Sequence, residues 1–185
     1  MALVHCHFFS QTLGRMTALS ALLPEPGQDC DPPDEPVRYP TLYLLHGLSD
    51  DHTVWLRRTS LERYLEGRRL AVVLPAAGRS FYTDALRGQR YWSFVSEELP
   101  RLVADGITAA GLSMGGYGAF KLALAHPERF AAAASLSGAL DVARLVEEEQ
   151  AAGTSELQDI FGPAERLAHS PDNLFHLAAQ LVLRP

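Results

Sequence analysis

The chain is poor in cysteine, with only two among its 185 residues. Cys6 and Cys30 form neither a Cys-x-x-Cys pair nor a metal-like cluster, which excludes a zinc module and a disulfide-rich scaffold. We interpret both as free thiols in a reducing compartment, with a Cys6–Cys30 bridge as the less favoured alternative. Long apolar runs are also absent: none approaches the roughly 20 residues that span a bilayer. The N-terminus lacks a basic segment followed by an apolar run, so we expect a cytoplasmic protein with no membrane partner.

Positive charge is in deficit as well. Sixteen Lys and Arg stand against 22 Asp and Glu, which gives a net charge of -6 and a pI near 5.6. Nucleic acids select basic surfaces, so we expect no nucleic-acid partner. The composition is 47% hydrophobic and 21% charged, as in an ordinary globular chain with one core. These values predict a single domain over residues 1–185 and a small or neutral ligand, and they leave self-association into a homo-oligomer open.

The most informative stretch is 107–120, where a short apolar strand runs into Gly-Leu-Ser-Met-Gly and then a helix. This context is that of a nucleophile elbow, a sharp turn that holds a serine in a strained conformation at a helix N-terminus. A Cβ at Gly111 or Gly115 would collide with the neighbouring chain, and glycine removes both clashes. Small residues further on let the helix lie close to the sheet: Gly116, Gly118 and Ala119. Ser113 is therefore the candidate nucleophile, and the alternative is a tight turn with a capping serine.

A second motif lies at the end of an earlier strand. Thr41–Leu45 is a continuous apolar run, typical of a strand buried on both faces of a parallel sheet. It leads into His46-Gly47-Leu48. An elbow serine that attacks an acyl group needs two backbone N–H donors for the oxyanion, one after the serine and one in the loop after an earlier strand. Met114 and Leu48 occupy these positions, and we interpret His46 as a packed loop histidine rather than a base.

The N-terminal residues alternate between apolar and polar. Ala2–Ser10 and Met16–Leu23 are predicted to pair as a hairpin, with the first strand at the edge of a sheet. His5 and His7 would share one face of that strand, which is compatible with a metal site. No third ligand is evident nearby, so we favour a solvated edge strand and expect no metal.

The remaining elements are predicted from periodicity and from turn residues. Helices are expected over Thr53–Gly67 and Arg90–Ala104, a buried strand over Leu70–Leu74, and a loop over Pro24–Pro40. The run Phe130–Leu136 has four alanines, which favour a helix, but its short span fits a buried strand better. Four aromatic residues are interpreted as core and cover rather than as the lining of an acyl pocket: Phe81, Tyr82, Tyr91 and Trp92. Two carboxylates are interpreted as solvated charges: Glu97 and Glu98.

In this order, the motifs Leu42–Ser49, Trp55–Thr59, Tyr82–Asp84, Glu97–Pro100, Gly111–Gly118 and Ser135–Leu140 resemble the esterase D group of α/β-hydrolases. The chain is most similar to bacterial tributyrin or acetyl esterases, and more distantly to S-formylglutathione hydrolases and mycolyltransferases. The resemblance implies an α/β-hydrolase fold, a mostly parallel central sheet flanked by helices. It also implies hydrolysis of short-chain acyl esters or thioesters, for which no cofactor is needed. By motif position, Ser113 is the nucleophile, and Leu48 and Met114 are the oxyanion-hole donors.

The chain also differs from the pattern of the esterase D group in its C-terminal part. In that group the acid and the histidine follow the serine in the order Ser, Asp, His, and we expect this chain to lack that C-terminal part of the fold. Residues 141–180 resemble a helical insertion over the active site, and Leu181–Pro185 stops where the acid-bearing strand is expected. Asp141 is predicted to cap the helix that follows it. Neither His169 nor His176 is favoured as the base.

Two alternatives to an esterase stay open at this point. The same site supports acyl transfer to an alcohol or a sugar if water is excluded. A binding module that keeps the pocket without the chemistry is the second alternative, because a serine hydroxyl without a base is a poor nucleophile. A further departure is the short link at 104–106, where relatives have a longer connection.

Overall fold

The computed structural model describes residues 1–25, 38–103 and 107–182. Three features of the sequence interpretation lie outside this range: most of the Pro24–Pro40 loop with Cys30, the link at 104–106, and residues 183–185. Cys6 is a free thiol, as expected. In the part of the chain that the structure describes, no helix is both long enough and apolar enough to cross a membrane.

The described residues form one six-stranded sheet with helices packed against it. The strands are β1 (Ala2–Ser10), β2 (Arg15–Leu23), β3 (Thr41–Leu45), β4 (Ala71–Pro75), β5 (Ile107–Leu112) and β6 (Phe130–Leu136). Their order in the sheet is β1-β2-β4-β3-β5-β6. β1 and β2 form the predicted antiparallel hairpin, while β4, β3, β5 and β6 run parallel. The prediction of a mostly parallel sheet is confirmed.

The register of the central strands decides where the functional loops meet. β3 and β4 are largely buried because their apolar residues face the core on both sides of the sheet. Leu45 at the end of β3 pairs with Gly111 of β5, and Leu112 pairs with Leu136 of β6. The loops that follow β3 and β5 therefore leave the sheet side by side.

β6 is a strand, as predicted, but the expectation that it is buried was wrong. Ala132 and Ala134 are exposed, and Leu136 is 46% exposed. Within the described ranges no strand pairs with the outer side of β6, so it forms an edge of the sheet. Sequence alone could not show this, because an alanine-rich strand reads the same at an edge as in the centre of a sheet.

The single helix predicted over Thr53–Gly67 was also wrong. The segment folds as two short helices, α1 (Val54–Arg58) and α2 (Leu61–Leu65). Between them Thr59 is extended, with φ -136° and ψ 169°. Its hydroxyl donates to the carbonyl oxygen of Trp55, so the side chain competes for a group that a continuing helix would use.

The helix predicted over Arg90–Ala104 forms, but with a π-helical turn in its middle. It comprises α3 (Tyr91–Ser93), the π turn (Phe94–Glu98) and α4 (Leu99–Val103). Pro100 has no N–H to offer the carbonyl of Ser96, one turn earlier. That carbonyl instead accepts a hydrogen bond of 2.7 Å from Nη1 of Arg129.

The remaining helices follow the elbow: α5 (Met114–Ala125), α6 (Val142–Ala151), α7 (Glu156–Phe161), a 3-10 turn (Ala164–Arg166) and α8 (Leu174–Val182). All but α5 begin in the segment 141–180 that was predicted to be helical, and α8 extends two residues beyond it. The buried side chains of this helical segment, Phe161, Leu167 and Leu174, share one hydrophobic cluster with Tyr117 and Leu122 of α5. The segment therefore packs on the helix that follows the candidate nucleophile.

Glu98 is not the solvated charge that the sequence suggested. Its carboxylate accepts hydrogen bonds from the hydroxyl of Ser10 at 2.6 Å and from the N–H groups of Gln11 at 2.9 Å and Thr12 at 3.1 Å. It thereby ties the π turn to the β1–β2 turn. Partial burial alone would raise the pKa of Glu98, but the hydrogen bonds from Ser10 and Thr12 outweigh it and the pKa lies below its ordinary value.

Removal of this carboxylate should destabilise the fold in a pH-dependent way. We expect Glu98→Ala to lower the free energy of unfolding at neutral pH by about 2 kcal/mol, because hydrogen bonds to a charged group are lost. Glu97→Ala, on an exposed neighbour, should change it by less than about 0.5 kcal/mol. Since the folded pKa of Glu98 is lowered, its contribution is present above the ordinary pKa of about 4.3 and fades as the pH falls through the folded value. Urea unfolding should therefore show the difference between Glu98→Ala and wild type shrinking in acid, and a pH-independent difference would contradict this role.

Candidate active site

Ser113 stands at the corner between β5 and α5. Its backbone is left-handed, with φ 54° and ψ -114°, a conformation that costs energy for any residue with a side chain. A Cβ at Gly111 would lie 2.3 Å from the carbonyl carbon of Gly115, and a Cβ at Gly115 would lie 2.3 Å from the carbonyl oxygen of Leu45. The predicted clashes are confirmed. The Ser113 N–H donates to the Leu136 carbonyl at 2.9 Å, which ties the corner to β6.

The small residues of α5 have different partners. A Cβ at Gly116 would lie 2.4 Å from the hydroxyl oxygen of Ser135 in β6, so here glycine does bring the helix close to the sheet, as predicted. A Cβ at Gly118 would instead meet the ring of Tyr82 at 2.5 Å. Gly118 therefore accommodates the loop after β4 rather than the sheet.

The loop after β3 passes beside the candidate nucleophile. A Cβ at Gly47 would lie 3.4 Å from the carbonyl oxygen of Leu112 and 3.8 Å from Cβ of Ser113. Leu48 follows directly and is half-buried, and its carbonyl accepts a hydrogen bond of 3.4 Å from Arg79. Met114 opens α5 and is fully buried. Met114 thus follows Ser113 directly, and Leu48 follows the glycine that lies beside Ser113.

His46 is a packed loop histidine, as predicted. It is 1% exposed, and its Nε2 accepts a hydrogen bond of 3.0 Å from the N–H of Ala77. Nδ1 therefore carries the proton and donates to the carbonyl of Gly47 at 2.8 Å. Burial lowers the pKa of His46, and the hydrogen bond to Gly47 opposes this only in part. Because both ring nitrogens are engaged in a neutral ring, His46 supports the loop and is not the base.

The loop after β4 carries a second strained turn that the sequence did not reveal. Phe81 and Tyr82 both have φ 51°, although neither is glycine. The Phe81 N–H donates to Sδ of Met114 at 3.3 Å, and the Tyr82 hydroxyl donates to the carbonyl of His46 at 2.9 Å. The turn therefore contacts the side chain of Met114 and the backbone of the loop that leads to Leu48. The sequence does not predict such a turn, because a left-handed backbone is expected chiefly at glycine and asparagine, not at phenylalanine or tyrosine.

The aromatic residues near the site are core, in agreement with the sequence interpretation. Phe81, Tyr117 and Phe161 form a triangle of edge-to-face pairs with centroids 5.4 to 5.9 Å apart. Tyr82 is fully buried. The triangle joins the strained turn, α5 and α7 into one unit.

The other acidic and histidine candidates have structural partners. Asp141 caps α6, as predicted, by accepting a hydrogen bond of 3.1 Å from the N–H of Arg144. The rings of His169 and His176 pack edge to face at 5.5 Å, and His176 also lies 2.9 Å from the Gln180 amide. Among the described residues, no histidine or carboxylate hydrogen-bonds to the Ser113 hydroxyl.

The N-terminal histidines do not assemble a metal site in the described ranges. His5 pairs through Nδ1 with the hydroxyl of Ser20 at 2.8 Å. Across residues 1–25, 38–103 and 107–182, no group of three or more His, Cys, Asp or Glu side chains is placed to hold a metal ion.

Comparison with known proteins gives a consistent family. Residues 10–180 match the model of the Esterase family, described as "Putative esterase". An acetyl esterase from Caldicellulosiruptor saccharolyticus is 29% identical over 157 residues, which cover 78% of this chain and 59% of that protein. The diacylglycerol acyltransferase/mycolyltransferase Ag85A of Mycobacterium leprae is 35% identical over 122 residues, covering 55% of this chain and 37% of that protein.

Among solved structures, the fluorophosphonate-binding serine hydrolase FphF of Staphylococcus aureus, substrate bound, superposes with a TM-score of 0.84 at 30% identity. The match covers 98% of this chain and 73% of FphF. The predicted α/β-hydrolase fold and the resemblance to esterases of this group are confirmed. The chain spans little more than half the length of the acetyl esterase that it matches, 59%.

Proposed function

We propose that this chain, which belongs to the Esterase family, carries the nucleophile and the oxyanion hole of a serine carboxylesterase acting on short-chain acyl esters or thioesters. The observation that carries the proposal is the strained backbone of Ser113 between β5 and α5, beside the Gly47–Leu48 loop. Strain of this kind persists where the surrounding structure enforces it, as it does at active sites. The relatives named as an acetyl esterase and a serine hydrolase support the same chemistry.

In the proposed reaction the Ser113 hydroxyl oxygen attacks the ester carbonyl carbon while a histidine takes the hydroxyl proton. The N–H groups of Leu48 and Met114 stabilise the negative oxygen that forms. The alcohol then leaves with the proton from the histidine, and the acyl group stays on Ser113. Water attacks the acyl-enzyme, assisted by the same histidine, which releases the carboxylic acid and restores the serine.

The proposal requires a base that the described contacts do not supply. His46 is neutral and engaged at both nitrogens, and His169 and His176 contact each other. FphF and the acetyl esterase both contain chain that this sequence does not match. We place the histidine and its acid partner outside the described residues. A location in the cytoplasm, a single domain and self-association stay predictions from the sequence.

Acyl transfer is a second candidate, and the identity with the mycolyltransferase Ag85A favours it. The two reactions share the acyl-enzyme and differ in whether water or an alcohol attacks it. The ratio of the two products, free carboxylic acid and acylated alcohol, therefore distinguishes the two reactions.

The test is p-nitrophenyl acetate turnover by purified protein of measured intact mass, with and without an added alcohol. For an esterase we expect acetate as the main product in both cases. A main product of acetylated alcohol would favour the transferase. If a protein that contains its triad histidine shows no turnover that depends on Ser113, the proposed function is contradicted.

A further inference from the structure

Lys121 is a buried cation that the proposed reaction does not use. It lies on α5, two turns after Ser113, and is only 2% exposed. Nζ donates to the hydroxyl oxygen of Thr83 at 2.8 Å and to a carboxylate oxygen of Asp172. It also lies 4.6 Å from the ring centroid of Trp92, within the range of a cation–π interaction. A buried ammonium group is tolerated only with such partners, so its position is closely fixed.

Thr83 connects Lys121 to the strained turn through hydrogen bonds. While its hydroxyl oxygen accepts from Lys121, the hydroxyl donates to the carbonyl of Phe81 at 3.1 Å. The Thr83 N–H donates to the carbonyl of Ser80 at 3.1 Å, and the Tyr82 N–H donates to the hydroxyl of Ser80 at 3.0 Å. These hydrogen bonds close the turn around its two left-handed residues.

Asp172 joins the helical segment to the same cluster. Its backbone carbonyl accepts from the Tyr117 hydroxyl of α5 at 2.8 Å, while its side chain pairs with Lys121. The Asp172 carboxylate also accepts from the hydroxyl of Ser170 at 3.3 Å. Lys121 therefore contacts both the turn after β4 and the segment that precedes α8.

We propose that Lys121 is a positioning residue for the oxyanion hole. Through Thr83 and Asp172 it holds the Phe81–Tyr82 turn against Met114 and the His46 carbonyl, and so fixes the two candidate N–H donors relative to Ser113. This inference rests on the proposed function. It adds a residue that acts through others and touches no reacting atom.

The sharpest test is a matched pair at Thr83. Thr83→Val keeps the shape and removes the hydroxyl, whereas Thr83→Ser keeps the hydroxyl and removes a methyl group. Loss of an oxyanion-hole donor costs about 100-fold or more in kcat, so loosening both donors without removing either should lower kcat about 10-fold or more. We expect this loss in Thr83→Val and in Lys121→Met, with KM for p-nitrophenyl acetate changed less than about 3-fold. Thr83→Ser should keep near wild-type kcat.

The control is Arg144→Met, which removes an ion pair with Glu148 on the exposed face of α6 and should leave kcat unchanged. Activities are compared per folded protein, with the folded fraction taken from thermal unfolding. If Thr83→Val and Lys121→Met lower the melting temperature but not kcat, the cluster is only structural and the inference is wrong. An equal loss in Thr83→Ser would also overturn it.

A separate readout distinguishes failure of this inference from failure of the proposed function. Should the wild-type protein show no Ser113-dependent turnover, the proposed function fails, but hydrogen exchange at residues 46–49 still reports the positioning. We then expect faster exchange there in Thr83→Val than in Thr83→Ser. Equal exchange in the two variants would overturn the positioning role.

Discussion

Ser113→Ala is expected to lower ester turnover about 10⁶-fold in a protein that contains its full triad, the scale set by loss of the nucleophile in a serine protease. The variant removes one oxygen that makes no hydrogen bond within the described part of the chain, so the melting temperature should barely change. Turnover of p-nitrophenyl acetate measures the loss. Ser155→Ala is a matched control, because Ser155 is exposed and its side chain caps no helix.

The size of the effect also depends on the polypeptide used. A protein confined to residues 1–185 and lacking a base should already turn over about 10⁶-fold more slowly than a complete enzyme, so Ser113→Ala would change little. Intact mass therefore has to be measured first. Substantial turnover that survives Ser113→Ala would contradict the proposed nucleophile in either case.

The second large effect is expected at Gly115, on stability rather than chemistry. A Cβ there would lie 2.3 Å from the carbonyl oxygen of Leu45 and 2.8 Å from that of His46. Both obstacles are backbone atoms of a buried strand end, which a rotamer change cannot move. We expect Gly115→Ala to lower the free energy of unfolding by about 4 kcal/mol or more, among the largest effects of single substitutions, or to prevent folding.

A control at another glycine separates crowding from backbone preference. Gly67 has φ +70°, and a Cβ there would meet nothing within 4 Å. Gly67→Ala should therefore lower the free energy of unfolding by only about 1–2 kcal/mol, the energy that an alanine requires to adopt a left-handed backbone. Denaturant unfolding of both variants tests the comparison. Similar stability losses would show that the clash at Gly115 is relieved by movement and that the elbow is less rigid than described.

The elbow could be recognised from sequence because its strand, turn and helix are consecutive in the chain and have clear patterns. The clash at Gly111 is with Gly115, one helical turn away, whereas the clash at Gly115 is with Leu45 and His46 at the end of β3, partners that only the structure identifies. The parallel direction of the central strands follows similarly from apolar runs separated by helical segments, whereas their order in the sheet does not.

What the sequence could not show depends on contacts between distant residues. Lys121 and Asp172 are 51 positions apart, and Ser10 and Glu98 are 88 apart, so neither pairing has a local pattern. The left-handed turn at Phe81–Tyr82 is stabilised by partners elsewhere in the fold and contradicts the local preference of both residues. Each of these contacts depends on the three-dimensional structure.

The most direct test of the central claim is to find which residue a fluorophosphonate modifies. Trypsin cleavage after Arg101 and Lys121 gives a peptide, 102–121, in which Ser113 is the only serine. We expect mass spectrometry to place the adduct on this peptide in the wild-type protein and to find none in Ser113→Ala. An adduct on another serine, labelling that persists in Ser113→Ala, or a folded and complete protein that is not labelled would contradict the assignment of Ser113 as the nucleophile.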